Sequence, residues 1–568
     1  MIKRYRVLLP ALCCLLIAQA QSFGIEDWKN KFGKGKPFKL SGGFSANSVF
    51  NAGNEAQERD LFAYYLSGNI NLNLYGLINL PFSFHLTNSG TSYKLPSSPN
   101  RLSITPSYKW ITGYIGDVSM TFSPYTLSGH LFTGAGVELK PEGWEFAAMY
   151  GRLLKAVEYD ETHPGILPAY KRMAYGLKVG RASEKYQLSI NMLNAKDVAS
   201  SLLLPPDSLG ITPKENLAGS LSFKWIPVQF VEINGEYGLS LLTTDQRSPE
   251  EKRSGILGLW NASNLSSSYY NAIKAQVNLV GENNSIGLGY ERIDPNYQTL
   301  GAYYFVNDIE NITVNASQSF LQKKMTLSLS VGYEHDDLAK NKANISSRIV
   351  ASANLTANLG EKVNANLSYS NFQSYTNVRS NFELINRENP LDLLDTLNFV
   401  QLSQNVNVAI GILTRRSEKR QDNLNLNFSY QDAANKQGGI YRPGSVSEMI
   451  NAIASYSVYF LPSKFILSGI LNFNNSRIQN TNALTFGPSL DAAFMLKKKI
   501  NIKNTISYNS GFLEGVKQND VFIYRLNSSY MLLQKHNFTF AYNFQWRSAQ
   551  YQKSRNNSLL TFGYTYNF

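Results

Sequence analysis

Large apolar and aromatic side chains recur at every second position along most of this chain, with small polar residues between them. In NLNLNFSYQ, Leu424, Leu426, Phe428 and Tyr430 alternate with Asn423, Asn425, Asn427, Ser429 and Gln431. KVNANLSYS repeats the pattern with Val363, Ala365, Leu367 and Tyr369. HNFTFAYNFQW does so with Phe538, Phe540, Tyr542, Phe544 and Trp546, and KMTLSLSVGYE with Met325, Leu327, Leu329, Val331 and Tyr333. Successive side chains point to opposite faces of a strand, so each run predicts a strand with one apolar and one polar face. One such strand fits a half-buried soluble sheet equally well. Many of them, each roughly ten residues long, fit strands tilted across the ~25 Å apolar band of a membrane barrel.

The connections between runs fall into two alternating kinds. Short ones carry Lys, Arg, Gly or Pro, as in Lys140 to Gly143, Gly180 to Lys185, Gly281 to Asn284, Leu321 to Lys324, Leu359 to Lys362, Leu461 to Lys464, Lys497 to Lys499 and Leu532 to Lys535. Longer polar ones occupy 88–100, 155–170, 196–215, 244–266, 376–398 and 434–446. Short periplasmic turns and long external loops are the asymmetry of bacterial outer-membrane barrels. From Pro37 to Phe568 the rule gives about 26 strands, with a range of about 24–28. The stretch Leu300 to Glu310 reads as loop, which preserves the alternation and an even count. The fold expected is therefore all-β: a transmembrane antiparallel barrel, closed so that no strand edge meets lipid unpaired.

The ends of the chain sharpen this picture. Residues 1–20 read as a secretory signal peptide: Lys3, Arg4 and Arg6 precede an apolar run, and Ala18-Gln19-Ala20 offers small residues at Ala18 and Ala20 for cleavage. Both cysteines, Cys13 and Cys14, lie inside it, so the exported chain owes nothing to disulfides. The apolar run is too short to span a bilayer, and no later segment supplies the ~18 apolar residues a membrane helix needs. Residues 21–36 form a short periplasmic segment, and 37–568 form the barrel. At the other end, Phe568, Tyr566, Tyr564, Phe562 and Leu560 share one face of a last strand.

That terminal pattern resembles the C-terminal assembly signal of outer-membrane barrels, with an aromatic last residue and apolar residues at every second position before it. The resemblance implies that the barrel-assembly machinery engages this strand before closing it on the first. The Asn-, Ser- and Tyr-rich strands resemble large outer-membrane barrels of Bacteroidota, hence of Gram-negative cells. In size the barrel is similar to TonB-dependent receptors, whose plug domain of over a hundred residues has no counterpart in 21–36. About 16–18 strands already enclose a water-filled channel. The expectation is that external loops fold inward, with 196–215, 244–266 and 376–398 the candidates, or that a separate protein closes the pore.

Composition narrows the function. The formal charge of +13 suggests nucleic acid at first, but much of the basic excess sits in tight turns or in the leader, so no nucleic-acid partner is expected. Charged residues are only 17% of the chain, low for a soluble surface. The polar positions of the runs are Asn, Ser, Thr and Gln, which suit a polar solute or a polymer better than a selective ion path. Trp110, Trp144, Trp225 and Trp546, near strand ends, fit interfacial girdles in outer-membrane lipid.

Candidate chemistry is sparse. The five histidines include His163 beside Asp160 and Glu161, and His335 among Glu334, Asp336 and Asp337. Both groups could offer a cation oxygen ligands, yet on exposed loops they read as solvated surface. No Gly-x-Ser-x-Gly, His-Glu-x-x-His or phosphate-binding loop is present. No enzyme activity, cofactor or metal is expected. The reading is an integral outer-membrane barrel passing a polar solute or polymer through a pore gated by inward-folded loops. The alternative is a barrel subunit of an export, assembly or nutrient-uptake complex, its pore closed by a partner such as a surface lipoprotein. An outer-membrane enzyme ranks last.

Overall fold

A computed structural model describes residues 37–53, 61–89, 99–159, 161, 168–203, 209–250, 264–303, 305–340, 347–371, 374–376, 400–433, 436–437, 440–441, 447–478, 481–497, 499–549 and 552–568. Its strands are antiparallel throughout, and each crossing of the barrel is bonded to the crossings before and after it, with Lys436–Gln437 and Ile440–Tyr441 forming a separate small ribbon. The first, Phe38–Gly53, pairs with the last, Gln552–Asn567, from Gly43↔Asn567 to Gly53↔Asn557, and this closes the sheet. The sheet's 28 bonded segments make 26 crossings, because two crossings are each interrupted. Pro106 separates Arg101–Ile104 from Ser107–Tyr108, since proline has no N–H to give the ladder. Between Val363–Ser370 and Ser374–Thr376, the Asn371 side chain replaces ladder bonds by accepting from Ala351 N–H and donating to the Ile349 carbonyl. The fold and the count agree with the sequence pattern.

Alternation sorts the two faces as the sequence implies. Ile190, Leu288, Val331 and Leu471 stand outward and are all more than half exposed. Apolar surface spread over the outside of a closed sheet is what hydrocarbon, not water, would cover. Trp144, Trp225 and Trp546 also point outward near strand ends, with the Arg181 guanidinium 5.1 Å from the Trp144 ring. Leu560, Phe562, Tyr564 and Tyr566 lie on the same outer face. Tyr564 packs against Phe44 on the first strand at 5.8 Å and Phe538 on the preceding strand at 5.0 Å. Phe568 lies just past the strand; its N–H bonds to the Gly42 carbonyl and its ring stacks on Tyr566. Gly42 sits at φ +136, and a Cβ there would meet the Asn69 carbonyl oxygen at 2.1 Å, so only glycine fits this kink beside the closing seam.

Short turns alternate with long connections as far as strand Ser447–Phe460. Beyond it the rule fails. Phe465–Ile478 and Thr481–Leu496 leave two residues between them, as do Ile500–Leu513 and Val516–Leu532, and His536–Ala549 and Gln552–Asn567. These hairpins are tight at the end where the other loops are long. Glu514 and Gly515 both have positive φ, the requirement of the two-residue turn that matches strand twist. Leu300 to Glu310 is mainly loop, with the next strand beginning at Ile309.

Candidate functional site

Between Ile111–Thr121 and Asn284–Ile293, the inward positions of the wall are unusually small. Gly136, Ala147, Gly151, Ala174, Gly176, Ala195, Ala218, Gly238 and Ala272 all lie on this face by register. The room they leave is filled by the external connection 122–127 and the described residues of 294–308. Phe122, Leu127 and Leu300 pack with Met120, Phe132, Met149 and Leu193 into one dry cluster, in which Leu127 and Leu193 are fully buried. Each such side chain removed from water contributes roughly 1.5–3 kcal/mol, before the entropy of ordering the loop is subtracted.

Local sequence shapes both connections. Ser123-Pro124-Tyr125-Thr126 is a β-turn in which the Thr126 N–H bonds to the Ser123 carbonyl at 3.3 Å, with proline at the position that wants its fixed φ. Asp294-Pro295-Asn296-Tyr297 is a second, closed by Tyr297 N–H to the Asp294 carbonyl at 3.2 Å, and Asn296 takes φ 63. The Asp294 carboxylate ties this turn to the wall by accepting from the Asn271 N–H at 2.7 Å.

Polar contacts then fasten loop to loop and loop to wall. The Tyr297 hydroxyl donates to the Tyr125 carbonyl at 2.9 Å, and the Thr299 hydroxyl to the Thr126 carbonyl at 2.6 Å. On the wall, Ser220 Oγ donates to Ser123 Oγ at 2.9 Å, and Ser240 Oγ to the Gln298 carbonyl at 2.6 Å. Leu300 N–H donates to Asn216 Oδ1 at 3.1 Å. The Tyr125 hydroxyl donates to Glu291 Oε1 at 2.8 Å, a bond strengthened by the carboxylate's charge. Burial first, and Glu291 second, push the Tyr125 phenol far above its ordinary pKa; burial does the same for Tyr297, so both remain donors. Tyr297 and Phe305 stack at 4.9 Å, and His130 stacks on Tyr303 at 4.0 Å.

Of the three loops expected to turn inward, only parts of two and the first residue of the third are described. The described residues of 196–215 and 244–266 bond sideways to one another: Gln246 Nε2 donates to the carbonyls of Asp197 and Lys214, and Gln246 N–H to that of Pro213. Arg172 holds the Asp197 carboxylate from the neighbouring strand at 2.7 Å. Loop 376–398 lies outside the described residues, apart from its first residue. The remaining residues of these three loops lie outside the described residues, and the expectation that they turn inward lies there with them. The signal for the inward pair was the apolar and aromatic content of FSPYTL and YQTLGAYYF, opposite glycines and alanines at inward positions.

Other expected residues are placed as follows. His335 faces outward, 3.5 Å from Glu310, while Glu334 faces inward, so that cluster is split across the wall. Asp160 and His163 lie outside the described residues, as do Ala18, Ala20 and the whole of 1–36. Among the described residues no group of three or more His, Cys, Asp or Glu could hold a metal ion. The inward wall is also less neutral than the quoted runs imply: Lys178 meets Glu145 at 3.0 Å and Lys224 meets Glu232 at 2.7 Å.

The architecture is that of a large outer-membrane-type β-barrel. No family model matches the chain, and no curated protein matches it. Among solved structures it is similar to the FrpB iron transporter of Neisseria meningitidis (F3-3 variant), at 12% identity and TM-score 0.36 over 94% of this chain and 82% of that one. It is similar to a point mutant of the ferric enterobactin receptor PfeA of Pseudomonas aeruginosa, at 9% identity and TM-score 0.39 over 93% and 80%. The P pilus usher PapC translocation pore gives 10% identity and TM-score 0.39 over 93% and 99%. Scores this low leave the functional argument to the chain's own geometry.

Proposed function

We propose that this chain is an integral outer-membrane barrel giving passage to a polar solute or polymer, and that 122–127 and 294–303 are its gate. The observation that carries the reading is the pinning of these two connections across the inner wall, from Gly176 to Glu291, by both a dry cluster and directed hydrogen bonds. A barrel of this strand number has a lumen wide enough for water unless something fills it. Loops held mainly by side-chain bonds and a few backbone bonds such as Ser128 N–H to the Gly301 carbonyl, rather than by a ladder of the sheet, can leave without breaking the barrel. The test is single-channel conductance of the purified protein beside a variant with 296–302 replaced by a short Gly-Ser linker. Low conductance in the intact protein and sustained opening in the variant support the gate. A large, steady conductance in the intact protein contradicts it.

A second reading has its own support. The hydrogen bonds and ring contacts that pin 122–127 and 294–303 fall between Ser128 and Ile309 or within the loops themselves, and the end of the second connection reaches further, Asp308 Oδ1 accepting from the Leu338 N–H at 2.9 Å. The arc from Ser347 round to Leu74 receives none of them. A pore-closing partner such as a surface lipoprotein would cover that arc, and stable co-purification of one protein with the intact barrel supports this reading. The terminal face Leu560, Phe562, Tyr564, Tyr566 and Phe568 serves, in both readings, as the signal for the assembly machinery. Export would use cleavage after Ala20.

A further inference from the structure

Beside the inward loops lies a cavity of about 740 Å³, within the ~300–1,000 Å³ range of small-molecule sites. One side of it is aromatic. Tyr303 and Phe305 line it, and neither is free to swing. The Tyr303 oxygen accepts the Leu131 N–H at 3.1 Å and its ring lies on His130, while Phe305 is stacked on Tyr297. The inner wall also contributes, with Asn311, Thr313, Asn315 and Ser330 lining the cavity. Among the described residues these four side chains make no hydrogen bond, so amide and hydroxyl groups stand ready for a ligand. Of three charged side chains on the lining, Lys274 and Glu291 face each other at 3.4 Å, and the third is another carboxylate, Glu334.

Each class of polar cargo can be weighed against this lining. An anionic ligand would want arginine forks, and the cavity has none, its one lysine being paired. A peptide would want an open strand edge for its backbone, and every strand around the cavity is bonded on both sides. An apolar ligand would strand the amides and hydroxyls. A neutral polyhydroxylated ring satisfies both kinds of lining. Its C–H face lies on a rigid aromatic platform, and its hydroxyls exchange donors and acceptors with Asn, Thr and Ser. We infer that this cavity is a binding site for a neutral saccharide, with Tyr303 and Phe305 as the stacking platform and Asn311, Thr313, Asn315 and Ser330 as the hydroxyl-reading wall. The inference rests on the transport reading and gives it a substrate class. Because Tyr303 and Phe305 belong to the inward connection itself, the ligand touches the gate.

The test is titration calorimetry on the full-length folded barrel in detergent. The probes are neutral hexasaccharides of glucan, xylan and mannan type, a galacturonate trimer and an uncharged Gly-Ser tetrapeptide. At least one neutral hexasaccharide should bind, and the anionic trimer and the peptide should not. Tyr303→Ala and Asn315→Ala should each weaken that binding about tenfold or more. Asn315 sits on the wall, away from the loops, so its variant keeps the test open should Tyr303→Ala misfold; heat-modifiable gel mobility reports folding of both. No binding by any neutral sugar, equal binding by wild type and Asn315→Ala, or binding of the peptide instead would overturn the assignment. Calorimetry needs no open pore, so its failure is distinct from failure of the gate, which the conductance experiment reads without sugar.

Discussion

Two arcs of this barrel are built from the same antiparallel hairpin and treat their inner faces in opposite ways. From Ile111 to Ile293 many inward positions are glycine or alanine, among apolar, amide and hydroxyl residues and paired charges, and two loops pack onto them. From Val400 to Asn567 many inward positions are amides and hydroxyls that bond to each other along the wall, set among glycines, isoleucines and the Lys503–Asp491 ion pair. Asn472 donates to Ser489, Ser489 to Ser507, and Asn509 to Ser507, at 2.9–3.0 Å; Asn451 donates to Ser429 and accepts from Asn474. The external connections follow the same division, long in the first arc and, after strand Ser447–Phe460, two residues each in the second. Period-2 alternation builds both arcs. What differs is that in the first arc two loops pack onto the glycine and alanine positions, while in the second the described amides and hydroxyls bond mainly to their neighbours on the wall.

If the first arc owes its closed state to packing space, filling the space should expel the loops. A Cβ at Gly238 would meet Tyr125 Cβ at 2.8 Å and the Tyr297 hydroxyl at 2.9 Å. Gly238→Leu is therefore expected to open the pore nearly as fully as excision of 296–302. Overpacking of this kind costs about 1–3 kcal/mol. Gly511→Leu is its counterpart in the second arc, where a Cβ meets only the movable end of the Asn519 side chain, at 2.3 Å. Its conductance should match wild type. Equal opening by both variants would dissolve the distinction between the arcs.

A smaller effect is expected from Tyr125→Phe, which removes only the bond to Glu291. Hydrogen bonds to charged groups contribute about 1.5–3 kcal/mol, so the open fraction should rise by about tenfold or more, read as open probability in single-channel records. No change would mean that the dry cluster alone holds the loops. Smallest of all, Ser507→Ala takes a shared partner from Ser489 and Asn509. Urea unfolding should show a loss of about 1 kcal/mol with conductance unchanged. A change in gating from that substitution would place the second arc in the gate after all.

The barrel itself was legible in the sequence because one face of every strand must be apolar over its full length, as Leu424 to Tyr430 and Phe538 to Trp546 show. Counting these runs gave the strand number, even though the alternation of short and long connections stops after Ser447–Phe460. The inward loops were not legible from length, since nothing in polar content distinguishes a loop that bonds to its neighbour at the rim, as Gln246 does, from one that dives. Phe122, Leu127 and Leu300 carried the missing signal. These large apolar residues of external loops are buried on the inner wall, and Gly176 and Gly238 mark where the loops land, whereas Leu203 in another external loop stays exposed. Contacts such as Ser220 to Ser123 join residues far apart in the chain, and no periodicity reports them.

The most direct test of the gate ties those two serines together. Ser123→Cys with Ser220→Cys places two thiols where the hydroxyls now lie 2.9 Å apart, close enough for a disulfide after a small adjustment. In the Tyr125→Phe background, chosen for its raised open probability, conductance would be recorded before and after reduction of the formed disulfide. The account predicts a silent channel when oxidised and reversible opening when reduced. A disulfide shown to be formed, with conductance the same in both states, would contradict it.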